Sequence, residues 1–171
     1  MKSFLVSICI LGMIGIVMGI TIQAATTGTI TTTVTAKSVS VTRTDAQGTI
    51  AYGTVALSGS TTTDPAGQDK TTTFQNNGSA SEKFSVASSA ASGGTGWTIT
   101  SGTPGSNTFR HSFATTTAVT WQILDTADTY ETATSTIDVN ASLNVYLKIE
   151  MPSASDYVQK TITITLLAES L

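Results

Sequence analysis

The chain has 171 residues, 8 basic and 11 acidic side chains and a formal charge of −3. Those charges are few and scattered, so the electrostatic footprint of a nucleic-acid binder is absent. One cysteine, Cys9, lies near the start, so a mature chain lacking it has no disulfide, catalytic thiol or thiolate metal site.

Residues 1–24 read as a targeting segment. Met1-Lys2-Ser3 opens with a positive charge, and residues 4–22, FLVSICILGMIGIVMGITI, are almost wholly apolar. Small residues follow at Ala24 and Ala25. This is the pattern of a secretory signal peptide, with cleavage expected after Ala24. The alternative is an uncleaved membrane anchor, because the apolar run approaches the ~20 residues that span a bilayer. Membrane contact is expected only through this segment, and only if it is retained. Ile8 precedes Cys9, where a lipoprotein signal has a small residue, so lipidation is not expected. Removing 24 of 171 residues leaves 147, enough for one domain with its own core. Residues 25–171 are assigned to that domain. Without Lys2 it carries 7 basic and 11 acidic residues, a net charge of −4.

Period-two alternation dominates the remainder. Residues 29–41 alternate through Ile30, Thr32 and Val34, change phase near Ala36-Lys37, and resume at Val39 and Val41. Residues 50–57 form a second strand candidate, interrupted by Gly53. Residues 58–70 read as a loop. Strands at 71–75 and 83–88 flank Asn76-Asn77-Gly78-Ser79, and the Asn-Gly pair predicts a hairpin with a bulged connection. Short strands follow at 97–100, 108–114 and 118–124, then an acidic loop at 125–132. Residues 136–151 alternate without a break. At about 3.3 Å per residue one strand of that length would be too long for a small domain, so a bend is expected within 140–144. Residues 157–168 close the chain. These elements predict an all-β fold: a single antiparallel β-sandwich of the immunoglobulin-like type behind an N-terminal signal helix.

Both tryptophans lie on apolar strand faces. Trp97 shares a face with Ile99, and Trp121 with Val119 and Ile123. Phe109 and Phe113 flank the single histidine, His111, on one face of residues 108–114. Trp97, Trp121, Phe109 and Phe113 are therefore expected in the core. A stacking role in ligand binding is the competing reading of Trp97 and Trp121. Tyr52, Tyr130, Tyr146 and Tyr157 are the better candidates for exposed rings. His111 reads as structural, and no acid, base and nucleophile converge in the pattern, so no enzyme and no catalytic residue are expected. No cofactor is expected. Calcium has one weak candidate, the loop carboxylates Asp125, Asp128 and Glu131, with a second acidic loop at Asp64 and Asp69. Asn77-Gly78-Ser79 and Asn140-Ala141-Ser142 are N-glycosylation sequons in a host that uses them.

Gly96-Trp97-Thr98-Ile99-Thr100 resembles the first Trp-x-Leu motif of bacterial WxL cell-surface domains, with isoleucine in place of leucine. Tyr157 followed by Ile162-Thr163-Ile164-Thr165-Leu166 is similar to the second, with Ile164 where that motif has tryptophan. Residues 74–79 resemble a strand-to-turn passage of secreted immunoglobulin-like modules. The resemblance implies a secreted, cell-surface β-sandwich with a structural or adhesive role. A WxL-like cell-wall or glycan-binding module is the alternative it implies, with cell-wall polymer or other surface proteins as partners. Self-assembly is a third expectation. Residues 26–35 are uncharged and β-capable, so a freed N-terminal strand can join its own sheet or the edge of a neighbour and build a fibre.

Overall fold

The structure is a computed structural model that describes residues 33–45, 49–63, 72–115 and 120–171. The chain divides into two units, Met1–Thr35 and Ala36–Leu171. The leader at 1–24, the strand candidate up to residue 32 and the Asp64–Asp69 loop lie outside the described residues. Among the described residues, no helix is long and apolar enough to cross a membrane.

The second unit is all-β. Its strands are β1 (Val41–Arg43), β2 (Ser60–Thr62), β3 (Thr72–Asn76), β4 (Glu82–Ser88), β5 (Thr98–Ile99), β6 (Thr108–Ala114), β7 (Gln122–Leu124), β8 (Glu131–Ile137), β9 (Ser142–Glu150) and β10 (Ile164–Ser170). They form two sheets. The larger runs β1-β3-β9-β6-β5, with β2 also on β9 and β7 also on β6; the smaller runs β10-β4-β8. Pairing is antiparallel except between β5 and β6. The arrangement is sandwich-like, because one core cluster draws on both sheets: Val86 from β4 with Phe113, Leu124, Val145 and Leu147 from β6, β7 and β9. A second cluster joins Ala91, Trp97, Phe109 and Ile149.

Alternation located β6 and β9 well. Phe109, His111 and Phe113 share one face and are almost fully buried, as are Val145, Leu147 and Ile149. The expected break in residues 136–151 falls at 138–141, where Asn140 takes a φ of 63°. Other expectations changed. Within residues 33–43 only Val41–Arg43 forms a strand. Residues 50–57 form none; Gly53 turns the backbone to a φ of 75°, yet Ile50 and Tyr52 still pack on the core. At β7 the phase slips by one. Leu124 is fully buried and Ile123 is 38% exposed, opposite to the expected facing.

The Asn-Gly sequence does not close a hairpin. β3 belongs to the larger sheet and β4 to the smaller, so the turn carries the chain between layers. The side chain of Asn76, fully buried, governs this crossing. Its Nδ2 donates to the carbonyls of Ala80 (2.9 Å) and Ile137 (3.0 Å), and its Oδ1 accepts from Gly78 N–H (2.8 Å). Gly78 is required for space. A Cβ there would lie 2.0 Å from Glu82 Oε1 and 2.5 Å from the Ser38 carbonyl. Gly78→Ala is therefore expected to cost about 1–3 kcal/mol by overpacking in urea unfolding. Gly53→Ala meets no atom within 4 Å, and only its positive φ opposes it, so about 1 kcal/mol is expected. Equal costs at the two positions would contradict the packing account.

Candidate functional site

Two neighbouring features concentrate the chemistry of the described residues. One is a buried polar bridge between the sheets. The other is a tied-down loop with an exposed tyrosine.

The bridge is centred on His111 of β6, 1% exposed. Tyr52 Oη lies 2.8 Å from Nε2, and Ser88 Oγ of β4 lies 2.8 Å from Nδ1. Ser88 Oγ also reaches the Ser89 carbonyl at 3.3 Å. One assignment gives every proton an acceptor: Tyr52 donates to Nε2, the Nδ1–H donates to Ser88, and Ser88 donates to Ser89 O. The imidazole is then neutral. Burial holds its pKa down to about 4 and pushes the Tyr52 phenol above its ordinary range. The rings of Tyr52 and Phe109 pack around it at centroid distances of 6.0 and 6.1 Å. Ser88 and His111 have the spacing of a nucleophile and its base. Ser88 is fully buried, however, so no substrate reaches its hydroxyl.

The loop lies beyond Phe109. Trp97 is 5% exposed, tilted against Phe109, and donates from Nε1 to Ser155 Oγ at 3.1 Å. The Lys160 ammonium stands 5.4 Å above the indole. It donates to the carbonyls of Gly93 (2.6 Å) and Thr95 (2.7 Å) and to Asp156 Oδ1 (2.6 Å). Asp156 Oδ2 accepts from Thr95 N–H at 2.5 Å. The Lys160 hydrogen bond first, then that of Thr95, holds the Asp156 carboxyl well below the usual range. Gly93 and Gly94 adopt positive φ values of 105° and 53°, and a Cβ on Gly93 would meet the Gln159 carbonyl at 2.5 Å. Between these anchors Tyr157 stands 86% exposed at a φ of 57°, with Val158 49% exposed beside it. A bulky side chain in the left-handed region is uncommon and needs surroundings that enforce it.

A third cluster lies on β6 and β9, where Arg110 pairs with Glu150 and Lys148 sits 2.9 Å from the same carboxylate. Desolvation raises the Glu150 pKa, but the hydrogen bonds and charges of Arg110 and Lys148 outweigh it and leave a net lowering.

The sequence candidates are placed as follows. Trp97, Phe109 and Phe113 are buried. Trp121 differs from its expected core position: it is half-buried, precedes β7 and joins neither core cluster, in keeping with the one-residue slip there. Asp125 and Asp128 are exposed, and Glu131 begins β8 opposite Val86. The connection crosses from β7 in one sheet to β8 in the other, which draws the three carboxylates apart. Among the described residues no three His, Cys, Asp or Glu side chains converge as a metal would require. Of the tyrosines considered for exposure, Tyr146 is buried, Tyr52 half-buried and Tyr130 42% exposed. A cleft of about 150 Å³ beside Thr120 and Gln122 is smaller than ordinary ligand pockets. Sequence reasoning missed Ser88, Tyr52 and Lys160 as partners, because each lies far along the chain from the ring it serves. Comparison with family models, curated proteins and solved structures finds no match to this chain.

The bridge makes stability depend on pH. The unfolded imidazole takes a proton near its ordinary value of 6.5, whereas the folded one takes it near 4. Stability from this group is complete above pH 6.5 and is lost as pH falls towards 4, by about 3 kcal/mol in total. Asp156 and Glu150 are lowered from 3.8 and 4.5, so their contribution is lost at lower pH. Urea unfolding at pH 7 and pH 5 is expected to show a loss of about 2 kcal/mol, and the loss is expected to vanish in His111→Gln. An unchanged slope in that variant would remove His111 from the account.

Proposed function

We propose that this protein is a secreted, non-enzymatic β-sandwich that makes structural or adhesive contacts at the cell surface. We assign it to the immunoglobulin-like type, with the repeated crossings of the chain between the two sheets, β3–β4 and β8–β9 among them, as support. The observation that carries the contact role is Tyr157. Its backbone takes a left-handed φ of 57° and its side chain is exposed, next to the Asp156–Lys160 ion pair. Strain of this kind concentrates where a side chain must be presented. An apolar, hydroxyl-tipped ring beside Val158 suits contact with a wall polymer or another surface protein. The leader at 1–24 supports the location. The sealed Ser88–His111 pair supports the non-enzymatic reading.

The WxL-like alternative, a cell-wall or glycan-binding module, uses the same loop in a different way. Trp97 lies under the loop, so it acts as support and Tyr157 as the contacting ring. Assembly of copies into a fibre is favoured by a separate observation: among the described residues β10 ends the smaller sheet and is paired on one side only.

The test is retention of the purified chain from residue 25 on isolated cell-wall material. Tyr157→Ala is expected to weaken retention roughly tenfold, as loss of an aromatic anchor does, with an unchanged circular dichroism spectrum. Retention equal to the parent would contradict the contact role of this loop. A parent that never binds would exclude wall polymer as the partner.

A further inference from the structure

Asn77-Gly78 is a reactive sequence as well as a crossing between sheets. The chain has five asparagines, Asn76, Asn77, Asn107, Asn140 and Asn144, and only Asn77 precedes a glycine. The Cγ of an asparagine can be attacked by the backbone nitrogen of the residue that follows it. A Cβ on that residue crowds the approach, and glycine has none. The N–Cγ bond forms, the Cγ–Nδ2 bond breaks, and ammonia leaves with the proton given up by the backbone nitrogen. Water then opens the succinimide ring at one of its two carbonyls. Opening at Cγ restores the ordinary main chain as aspartate. Opening at the backbone carbonyl leaves the main chain running through Cβ and Cγ, as isoaspartate. The reaction needs only the chain and water.

In the fold both reacting groups are held. Gly78 is buried and its N–H donates to Asn76 Oδ1 at 2.8 Å, so the attacking nitrogen keeps its proton. Asn77 is exposed, but its Nδ2 donates to Thr42 Oγ1 at 2.8 Å, which turns the carboxamide towards β1. The chain leading into β1 covers the backbone of the same turn. Asn77 N–H donates to the Ser40 carbonyl (2.8 Å), Ser79 N–H to the Ser38 carbonyl (3.0 Å), Ser38 N–H to Ser79 Oγ (2.8 Å) and Ser40 N–H to Glu82 Oε1 (2.9 Å). Residues 38–42 thus lie as a strap along the turn. Their hold is thin. β1 pairs with β3 over three residues, and among the described residues it stands at the edge of the larger sheet. Segments of this kind open locally without unfolding the core.

We propose that Asn77 is a deamidation site gated by residues 38–42, and that its isoaspartate product leaves this strap unseated. While the strap is down, the carboxamide is tied to Thr42 and the turn is pinned at Asn77 and Ser79. Lifting it frees the carboxamide to turn towards the Gly78 nitrogen. The aspartate product still fits, because the Thr42 hydroxyl can donate to a carboxylate. The isoaspartate product does not. It adds an atom to the main chain of a turn that has no room for one: a Cβ on Gly78 would already meet the Ser38 carbonyl at 2.5 Å. Each opening that ends in isoaspartate is therefore irreversible, and it uncovers the edge of β3.

The purified chain is incubated in mildly alkaline buffer with and without urea, and peptide mapping by mass spectrometry locates each exchange of amide for acid. In urea, Asn77 is expected to convert ahead of the other four asparagines, and Gly78→Ala to slow it. In the folded chain, conversion at Asn77 is expected to be slower by roughly tenfold or more, because the strap must first open. Thr42→Val is expected to speed conversion of the folded chain about fivefold, the worth of one lost hydrogen bond, with no effect in urea. The isoaspartate form, separated by chromatography, is expected to lose hydrogen-exchange protection at residues 38–42 while β6 and β9 keep theirs. Earlier conversion of another asparagine in urea, or no slowing by Gly78→Ala there, would overturn the site. Equal rates at Asn77 with and without urea, or a folded chain indifferent to Thr42→Val, would remove the gate. Undiminished protection of residues 38–42 in the isoaspartate form would show that the strap reseats, against the proposal.

Discussion

His111 touches both sheets through its two ring nitrogens, and much of the interior is arranged around that fact. Its ring hangs from β6 in the larger sheet, Ser88 answers from β4 in the smaller, and Tyr52 closes the other side from a segment that belongs to no strand. An apolar core alone tolerates sliding of one sheet over the other. A buried polar group does not, because a nitrogen left without its partner costs about 1–3 kcal/mol. The bridge thus sets where β4 stands relative to β6. Residues 50–52 lack a ladder, but Tyr52 is bound in place by this bond and by its packing.

From the bridge a line of rings leads to the loop. His111 meets Phe109, Phe109 meets Trp97, and Trp97 underlies the Lys160 ammonium. Lys160 and Asp156 close the Gly93–Gly94 turn from above. Tyr157 and Val158 are exposed beside these anchors. The rigid interior and the displayed side chains are two ends of one packing arrangement. At the opposite end of the sandwich, Ser38 and Ser40 bind the Asn76–Glu82 turn, and Lys37 reaches the last residue.

Much of the fold was legible wherever period two was strict and both faces differed. β6 and β9 are such strands: Phe109, His111 and Phe113 on β6 and Val145, Leu147 and Ile149 on β9 alternate in sequence and are buried, although Tyr146, a candidate for exposure, is buried between them. Legibility failed where a tertiary contact outvoted a local cue. Asn76-Asn77-Gly78 carries a hairpin signal, but the buried Asn76 carboxamide bonds two carbonyls across layers and the turn becomes a crossing. Trp121 follows the alternation of its neighbours, yet Leu124 takes the inward position and shifts the phase. The acidic loop at 125–131 clusters in sequence and separates in space, since it connects different sheets. The partners of His111 lie 59 and 23 residues away, beyond any local pattern. Tyr157 was one of four scattered tyrosines, and only its fixed positive φ and its exposure distinguish it.

The central claim is that His111 is a neutral, fixed link between the sheets, with its proton on Nδ1. Nitrogen NMR of the imidazole in the folded chain near neutral pH tests this most directly. The account predicts one static tautomer, a protonated Nδ1 donating to Ser88 and a bare Nε2 accepting from Tyr52. Averaged nitrogen signals, or a ring that titrates near the ordinary histidine value, would contradict it.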